Sequence, residues 1–134
     1  MNETETLLSN QCRKLNWYCR KLNTHTIMGT GTNQVSDFII CNNKGIYFIE
    51  CKQRKEYFHL KDLTQQKEMF LLNKKSKKAK IFILLNFYFY EKLYLISYND
   101  WILFLKSFKK KGLNHKDLPE KYLINIKNLE NLLK

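Results

Sequence analysis

Proline is almost absent from this sequence, with a single residue in 134, and glycine is scarce, with four. A flexible link between two separately folded halves needs such residues. Their scarcity, and a length that fits one hydrophobic core, argue for a single domain over residues 1–134. Ribbon-type metal spacing is missing too: Cys12, Cys19, Cys41 and Cys51 include no C-x-x-C pair, which sets aside a zinc ribbon. Cys12, Cys41 and Cys51 sit in runs that read as buried, so they are expected as free thiols in a reducing, intracellular setting. No long hydrophobic run occurs. The longest, Ile81 to Tyr90, is interrupted by Asn86 and is too short to span a bilayer. The opening MNETETLLSNQ has no basic start followed by an apolar segment, so no signal peptide is expected.

Acidic charge is also thin. Twelve Asp and Glu face twenty-four Lys and Arg, a formal net charge of +12. Such a chain repels itself when compact, and a surplus of this size commonly serves a polyanion such as nucleic acid. A compositional lean toward Lys, Asn and Ile contributes to the count, so the charge is support and not proof. What the chain does have is apolar substance: 44% hydrophobic and 14% aromatic residues, enough for a packed core and too much for global disorder.

The apolar spacing of Leu8, Cys12, Leu15, Cys19 and Leu22 predicts a helix over 4–22, with Glu5 on its inward face. A loop follows through Gly29 and Gly31. Val35 to Cys41 and Gly45 to Lys52 read as a strand pair joined by the turn Asn42-Asn43-Lys44-Gly45, the second strand apolar on both faces and therefore central. Residues 53–59 read as a polar connection. Residues 60–73 read as a helix with Leu63, Phe70 and Leu71 inward. Strands are expected at 81–87 and 92–97, a helix capped by Asn99 or Asp100 at 101–108, and a last amphipathic helix at 119–133. The order α-β-β-α-β-β-α-α describes an α/β domain, one mixed sheet flanked by helices, with a core over about 4–108 and a helical extension over about 109–134.

Asp37, Glu50 and Lys52 carry the chemistry. Strand alternation puts Glu50 and Lys52 on one face, about 6–7 Å apart, and the hairpin brings Asp37 toward them. Two converging carboxylates make a hard oxygen site suited to Mg²⁺ or Mn²⁺. A metal there activates water and neutralises charge building on a phosphate, and Lys52 stabilises the transition state. An exposed Glu-x-Lys pair is common and by itself means little. Here the same strand face carries Ile46 and Phe48, and charges ending an apolar central strand need a reason.

Ser36-Asp37, then Phe48-Ile49-Glu50-Cys51-Lys52, resembles the core of the PD-(D/E)XK nucleases. Phe58-His59-Leu60-Lys61-Asp62-Leu63 with Gln65-Gln66, then Ile81–Leu85, Leu93–Ile96 and Trp101–Phe104, is similar to the RecU-type Holliday-junction resolvases, and the whole of 34–108 also resembles the archaeal Hjc resolvases. The resemblance implies a restriction-endonuclease-like fold and a Mg²⁺-dependent endonuclease acting on branched DNA in recombination and repair. It implies Asp37 and Glu50 as metal ligands with the Cys51 carbonyl, and Lys52 as stabiliser. It implies Gln66 (or Gln65) as a metal-supporting glutamine and Glu5 as an N-terminal acidic residue of the site. A helix-surface glutamine, or a first-turn acid favoured by the helix dipole, is the plainer account of these last residues. Two departures stand out: Val35 replaces the family's threonine, and only Asn23 to Ser36 spans the place of the RecU stalk.

Lys74, Lys75, Lys77 and Lys78, and separately Lys106 and Lys109–Lys111, form basic runs suited to phosphates, or simply solvated charge. His25 and the Gly29–Thr32 loop, with Thr30 and Thr32, precede Asp37 and are candidate contacts to the scissile strand. Tyr88, Phe89 and Tyr90 end a strand or form an interface, with base stacking a weaker alternative. Paired cuts on a junction need two copies, hence an expected homodimer. The alternatives are a restriction, repair or mobile-element endonuclease acting on duplex DNA, or a DNA-binding module without catalysis.

Overall fold

A computed structural model of the protein describes residues 1–22, 26–27, 30–31, 35–64 and 66–133. The chain runs through α1 (Glu3–Lys14), β1 (Tyr18–Lys21), β2 (Thr26–Ile27), β3 (Thr30–Gly31), β4 (Phe38–Asn42), β5 (Gly45–Arg54) and β6 (Tyr57–His59). It continues with α2 (Leu60–Leu63), α3 (Lys67–Lys75), β7 (Lys80–Phe87), β8 (Lys92–Ser97), α4 (Tyr98–Ser107), β9 (Gly112–Asn114), β10 (Leu123–Ile124) and α5 (Leu129–Leu132). Six strands form one mixed sheet in the order β1-β4-β5-β7-β8-β10, in which β5 and β7 are parallel and their neighbours antiparallel. Two small ribbons, β2-β3 and β6-β9, lie outside it.

Helices cover both faces of the sheet. On one, Leu8 and Cys12 of α1 and Leu129 of α5 pack against Phe38, Ile40, Tyr47, Ile49, Cys51, Leu84 and Leu95. On the other, Leu63, Met69 of α3 and Trp101 of α4 pack against Ile81, Ile83, Leu85, Tyr94 and Ile96, with Phe48 beside them. The alternation of neighbours in β7 and β5 between the two cores is what a strand covered on both sides requires. Burying each large side chain contributes roughly 1.5–3 kcal/mol.

The first helix is shorter than its apolar spacing predicts. A capping box opens it, Asn2 Oδ1 accepting from the Glu5 amide and Glu5 Oε1 from the Asn2 amide. It ends because Asn16 takes φ 58°, a left-handed conformation that asparagine tolerates better than most residues. Tyr18–Lys21 then pairs with β4. Leu15 and Cys19 still reach the α1-side core, so residues on a helix and on the strand after it mimic one helical stripe.

The helix expected at 60–73 is broken into α2 and α3 around Thr64, and the break shifts its phase. Leu63 and Met69 are buried and Leu72 packs beside them, whereas Phe70 is 53% exposed and Leu71 38%. The polar connection at 53–59 is instead the end of β5 and strand β6, which pairs with β9. Ser97, not Asn99 or Asp100, caps α4. The long helix expected at 119–133 is a 3-10 turn at Glu120–Tyr122, strand β10, another turn at Ile126–Asn128 and the short α5. Tertiary pairing decides these segments: Leu123 and Ile124 close the sheet against Tyr94 and Leu93. No helix among the described residues is long and apolar enough to cross a membrane.

Candidate active site

The β4–β5 hairpin builds the site. Asn42 Oδ1 accepts from the amides of Lys44 and Gly45 and fixes the turn. The register then runs Asn42↔Gly45 to Phe38↔Ile49, so one further step brings Asp37 opposite Glu50. Asp37 is held from both sides. Its carbonyl accepts from the Leu22 amide at 2.7 Å, continuing the β1 ladder, and its Oδ2 accepts from the Cys51 amide at 2.9 Å. Beside it, the buried Ser36 Oγ donates to the Phe38 carbonyl at 2.8 Å.

Glu50 and Lys52 share the sheet face of Phe48, as alternation requires. Lys52 Nζ lies 3.5 Å from Glu50 Oε2. Burial, and after it the nearby Asp37 carboxylate, push the Glu50 pKa up to about 7, although Lys52 pulls it down. A carboxylate so placed stays charged at neutral pH only with more positive charge beside it.

The Cys51 side chain points to the opposite face, under α1. Its thiol is pushed up in pKa by burial first and then by Asp37, Glu5 and Glu50. Glu5, 6% exposed, lies on that α1 side and ion-pairs with Lys21 at 3.1 Å. Burial acts to raise its pKa, but the Asn2 amide and Lys21 bring it below the ordinary carboxylate range. Lys21 precedes Leu22, the residue that holds the Asp37 backbone. Further along, Thr4 Oγ1 donates to Gln53 Oε1 at 2.6 Å and accepts from Asn86 Nδ2 at 2.9 Å, which ties α1 to β5 and β7 just past Lys52.

The structure of Archaeoglobus fulgidus Hjc, described as a Holliday junction resolvase from an archaeal hyperthermophile, aligns over 94% of this chain and 96% of that one. The TM-score is 0.59 at 16% sequence identity. The chain has the fold of Hjc. No protein-family model matches the sequence, and no curated protein sequence does.

Within this Hjc-like fold the remaining predicted residues are spread out. Gln66 stands at the N-terminus of α3, over the same sheet face as Glu50 and Lys52, since its neighbours Leu63 and Met69 belong to that core, and its side chain makes no capping hydrogen bond. Its Nε2 is buried with no hydrogen-bond partner among the described residues. Gln65, His25, Gly29 and Thr32 lie outside the described residues. Thr30 is in the β2-β3 ribbon, its backbone paired with Ile27. Lys74, Lys75, Lys77 and Lys78 are all exposed, but they stand at the other end of the sheet. They lead into Lys80, which is in register with Tyr47 near the start of β5. By strand rise, that is about 10 Å from Glu50 and about 17 Å from Lys52. In the second basic run, Lys110 is ion-paired with Asp117 at 2.8 Å.

The donor set suits a hard cation. Among the described residues no cluster of three or more His, Cys, Asp or Glu forms a metal site. Asp37 and Glu50 would therefore supply two carboxylates, leaving the remaining positions to backbone, water or phosphate oxygens, which is the pattern Mg²⁺ prefers. In a strand the N–H and C=O of one residue point to the same side. The Cys51 amide points at Asp37, so its carbonyl faces that side too. Three features escaped the sequence reading: Lys21, hidden by its assignment to a helix; the Thr4-Gln53-Asn86 network; and Arg54, which period-two counting on from Glu50 and Lys52 would have found.

Proposed function

We propose that this chain is a divalent-metal-dependent DNA endonuclease of the PD-(D/E)XK kind, resolving Holliday junctions or related branched DNA. The observation that carries the reading is the Asp37–Cys51 bond. It sets one carboxylate against the strand that carries Glu50 and Lys52, in a chain with the Hjc fold. Burial first, and then the neighbouring Asp37 carboxylate, raise the Glu50 pKa, and a cation bound between the two acids would hold both ionised.

Asp37, Glu50 and the Cys51 carbonyl would hold Mg²⁺ or Mn²⁺. That ion, when bound, lowers the pKa of a water and offsets charge on the phosphate. Lys52, 3.5 Å from Glu50, brings a cation to where negative charge develops. Gln66 Nε2, buried and unpartnered, offers a donor on the same face. Glu5 serves by holding Lys21 next to the residue that anchors Asp37. Lys74, Lys75, Lys77 and Lys78 would take phosphates of a duplex arm away from the cut, and Thr30 and Thr32 would meet the scissile strand. Two symmetric cuts need two copies, so the working unit is a homodimer. Four free cysteines suit a reducing compartment.

Cleavage of a labelled four-way junction against matched linear duplex tests this, with Mg²⁺ and then EDTA, for wild type and Asp37→Asn. Paired, metal-dependent nicks on the junction, lost in the variant, are expected. Equal cutting of both substrates would leave a duplex nuclease and remove the junction preference. Tight binding with no cutting in Mg²⁺ or Mn²⁺ would leave a binding module.

A further inference from the structure

Beyond Lys52 the row of outward residues on β5 continues to Arg54, about 7 Å further along the same face. The strand then enters a groove of about 820 Å³, whose lining sets Arg54 and Lys55 against one acid, Glu56, beside Tyr57, His59 and Tyr88. It lies at the carboxyl end of the parallel pair β5-β7, where open α/β sheets commonly bind ligands. Its floor is firm, because the amides of Tyr88 and Phe89 donate to the carbonyls of Arg54 and Lys55 and prolong the ladder.

Two kinds of group meet there. Arg54 is held by three contacts, one of them an ion pair that a phosphate would have to share. Its Nη1 donates to the Gln53 carbonyl at 2.8 Å, its guanidinium lies 5.7 Å from the Phe58 ring, and Nη2 ion-pairs with Asp62 at 3.8 Å. Lys55 is exposed, with no ion-pair partner among the described residues. Tyr57 is an exposed ring with neighbours on one side: 51% of it faces solvent, and its ring stands nearly perpendicular to that of His59 at 5.2 Å between centroids. Cations beside an open aromatic face are what a single strand of nucleic acid recognises, phosphate on charge and base on ring. Paired bases in a duplex already stack on their neighbours and have no free face to offer.

We propose that this groove holds unpaired nucleotides of the strand leaving the cleavage site, with Arg54 and Lys55 on its phosphates and Tyr57 stacked on a base. The proposal rests on the nuclease reading of Asp37, Glu50 and Lys52 and narrows it to DNA that is open beside the cut. Charge and continuity with the Glu50-Lys52 row favour a DNA strand over a protein partner at the same aromatics.

The test uses full-length Asp37→Asn protein, which does not cut, and forked DNA carrying 2-aminopurine at successive unpaired positions. Fluorescence quenching at one position is expected, lost in Tyr57→Ala and kept in Tyr57→Phe. Arg54→Gln with Lys55→Gln should weaken fork binding about tenfold and lower the salt slope by about 1.4, leaving fully paired duplex unaffected. Unchanged quenching in Tyr57→Ala, or equal loss on fork and duplex, overturns the groove while junction cutting by wild type would still uphold the nuclease. A change in sedimentation of Tyr57→Ala with DNA binding intact would make this a protein interface and also overturns it. Failure of wild type to bind or cut any DNA brings down both readings.

Discussion

The Cys51 amide donates to Asp37 Oδ2 over 2.9 Å, so a side-chain oxygen stands where the Ser36 carbonyl would come if the β4–β5 ladder ran on. The acid therefore completes the ladder and faces Glu50 at once. Asp37→Asn keeps an acceptor for Cys51 and removes repulsion, so it should fold at least as stably as wild type at pH 8 in EDTA. Asp37→Ala strands the amide and should cost about 1–3 kcal/mol in urea denaturation. Equal stability of both variants would show that the bond holds nothing in place.

Glu50 makes the metal-free protein sensitive to alkali. Its folded pKa, about 7, lies above the ordinary carboxylate value of 4.5. A carboxyl raised on folding gives stability that is full below its unfolded pKa and lost as pH rises through the folded one. Stability in EDTA should therefore fall by about 2–3 kcal/mol between pH 4.5 and pH 8 on Glu50's account. Glu50→Gln should flatten that slope, as paired urea titrations at the two pH values would show.

Cation binding should reverse the loss. Mg²⁺ at a hundredfold excess over its Kd would add about 2.7 kcal/mol at pH 8. The gain should shrink at pH 5.5, where Glu50 is protonated, and vanish in Asp37→Asn. Thermal melts with and without Mg²⁺ read this directly, and a gain independent of pH would place the ion elsewhere.

Asn16 carries the turn between α1 and β1 at φ 58°. Asn16→Gly should change stability little, whereas Asn16→Val should destabilise by about 1–2 kcal/mol because a branched side chain resists that conformation. Similar melting temperatures for the two would contradict this.

Thr4 is fully buried and joins Gln53 to Asn86 through one hydroxyl. Thr4→Val keeps the shape but leaves the Asn86 amide unpaired in the interior, at a cost of about 2 kcal/mol. Thr4→Ser, which keeps the hydroxyl, should recover most of it.

The hairpin with Asp37, Glu50 and Lys52 was legible because its signals are local: an Asn-Asn-Lys-Gly turn, a period of two, and charges at the end of an apolar strand. The strands at 81–87 and 92–97 were legible for the same reason. Elsewhere spacing misled, because distant pairing chose the structure. Cys19 repeats at a helical interval from Leu15, yet β4 draws it into a strand. Leu123 and Ile124 fit an amphipathic helix, yet the open side of β8 claims them. The lysines at 74–78 were readable as basic but not as remote from Glu50, since only the parallel register of β5 and β7 places them. Gln66 was named from resemblance alone, and no local pattern marks the helix break at Thr64 beside it.

The outer strands of the sheet are very short, four residues in β1 and two in β10. A long bare edge templates addition of further chains, and short ones resist it. β10 covers Leu93 and Tyr94 of β8, a strand of leucine, tyrosine and isoleucine with strong β propensity. Loss of the segment after Leu118 would lengthen the bare edge of that strand by Leu93 and Tyr94, and such a chain should aggregate more readily despite its high positive charge.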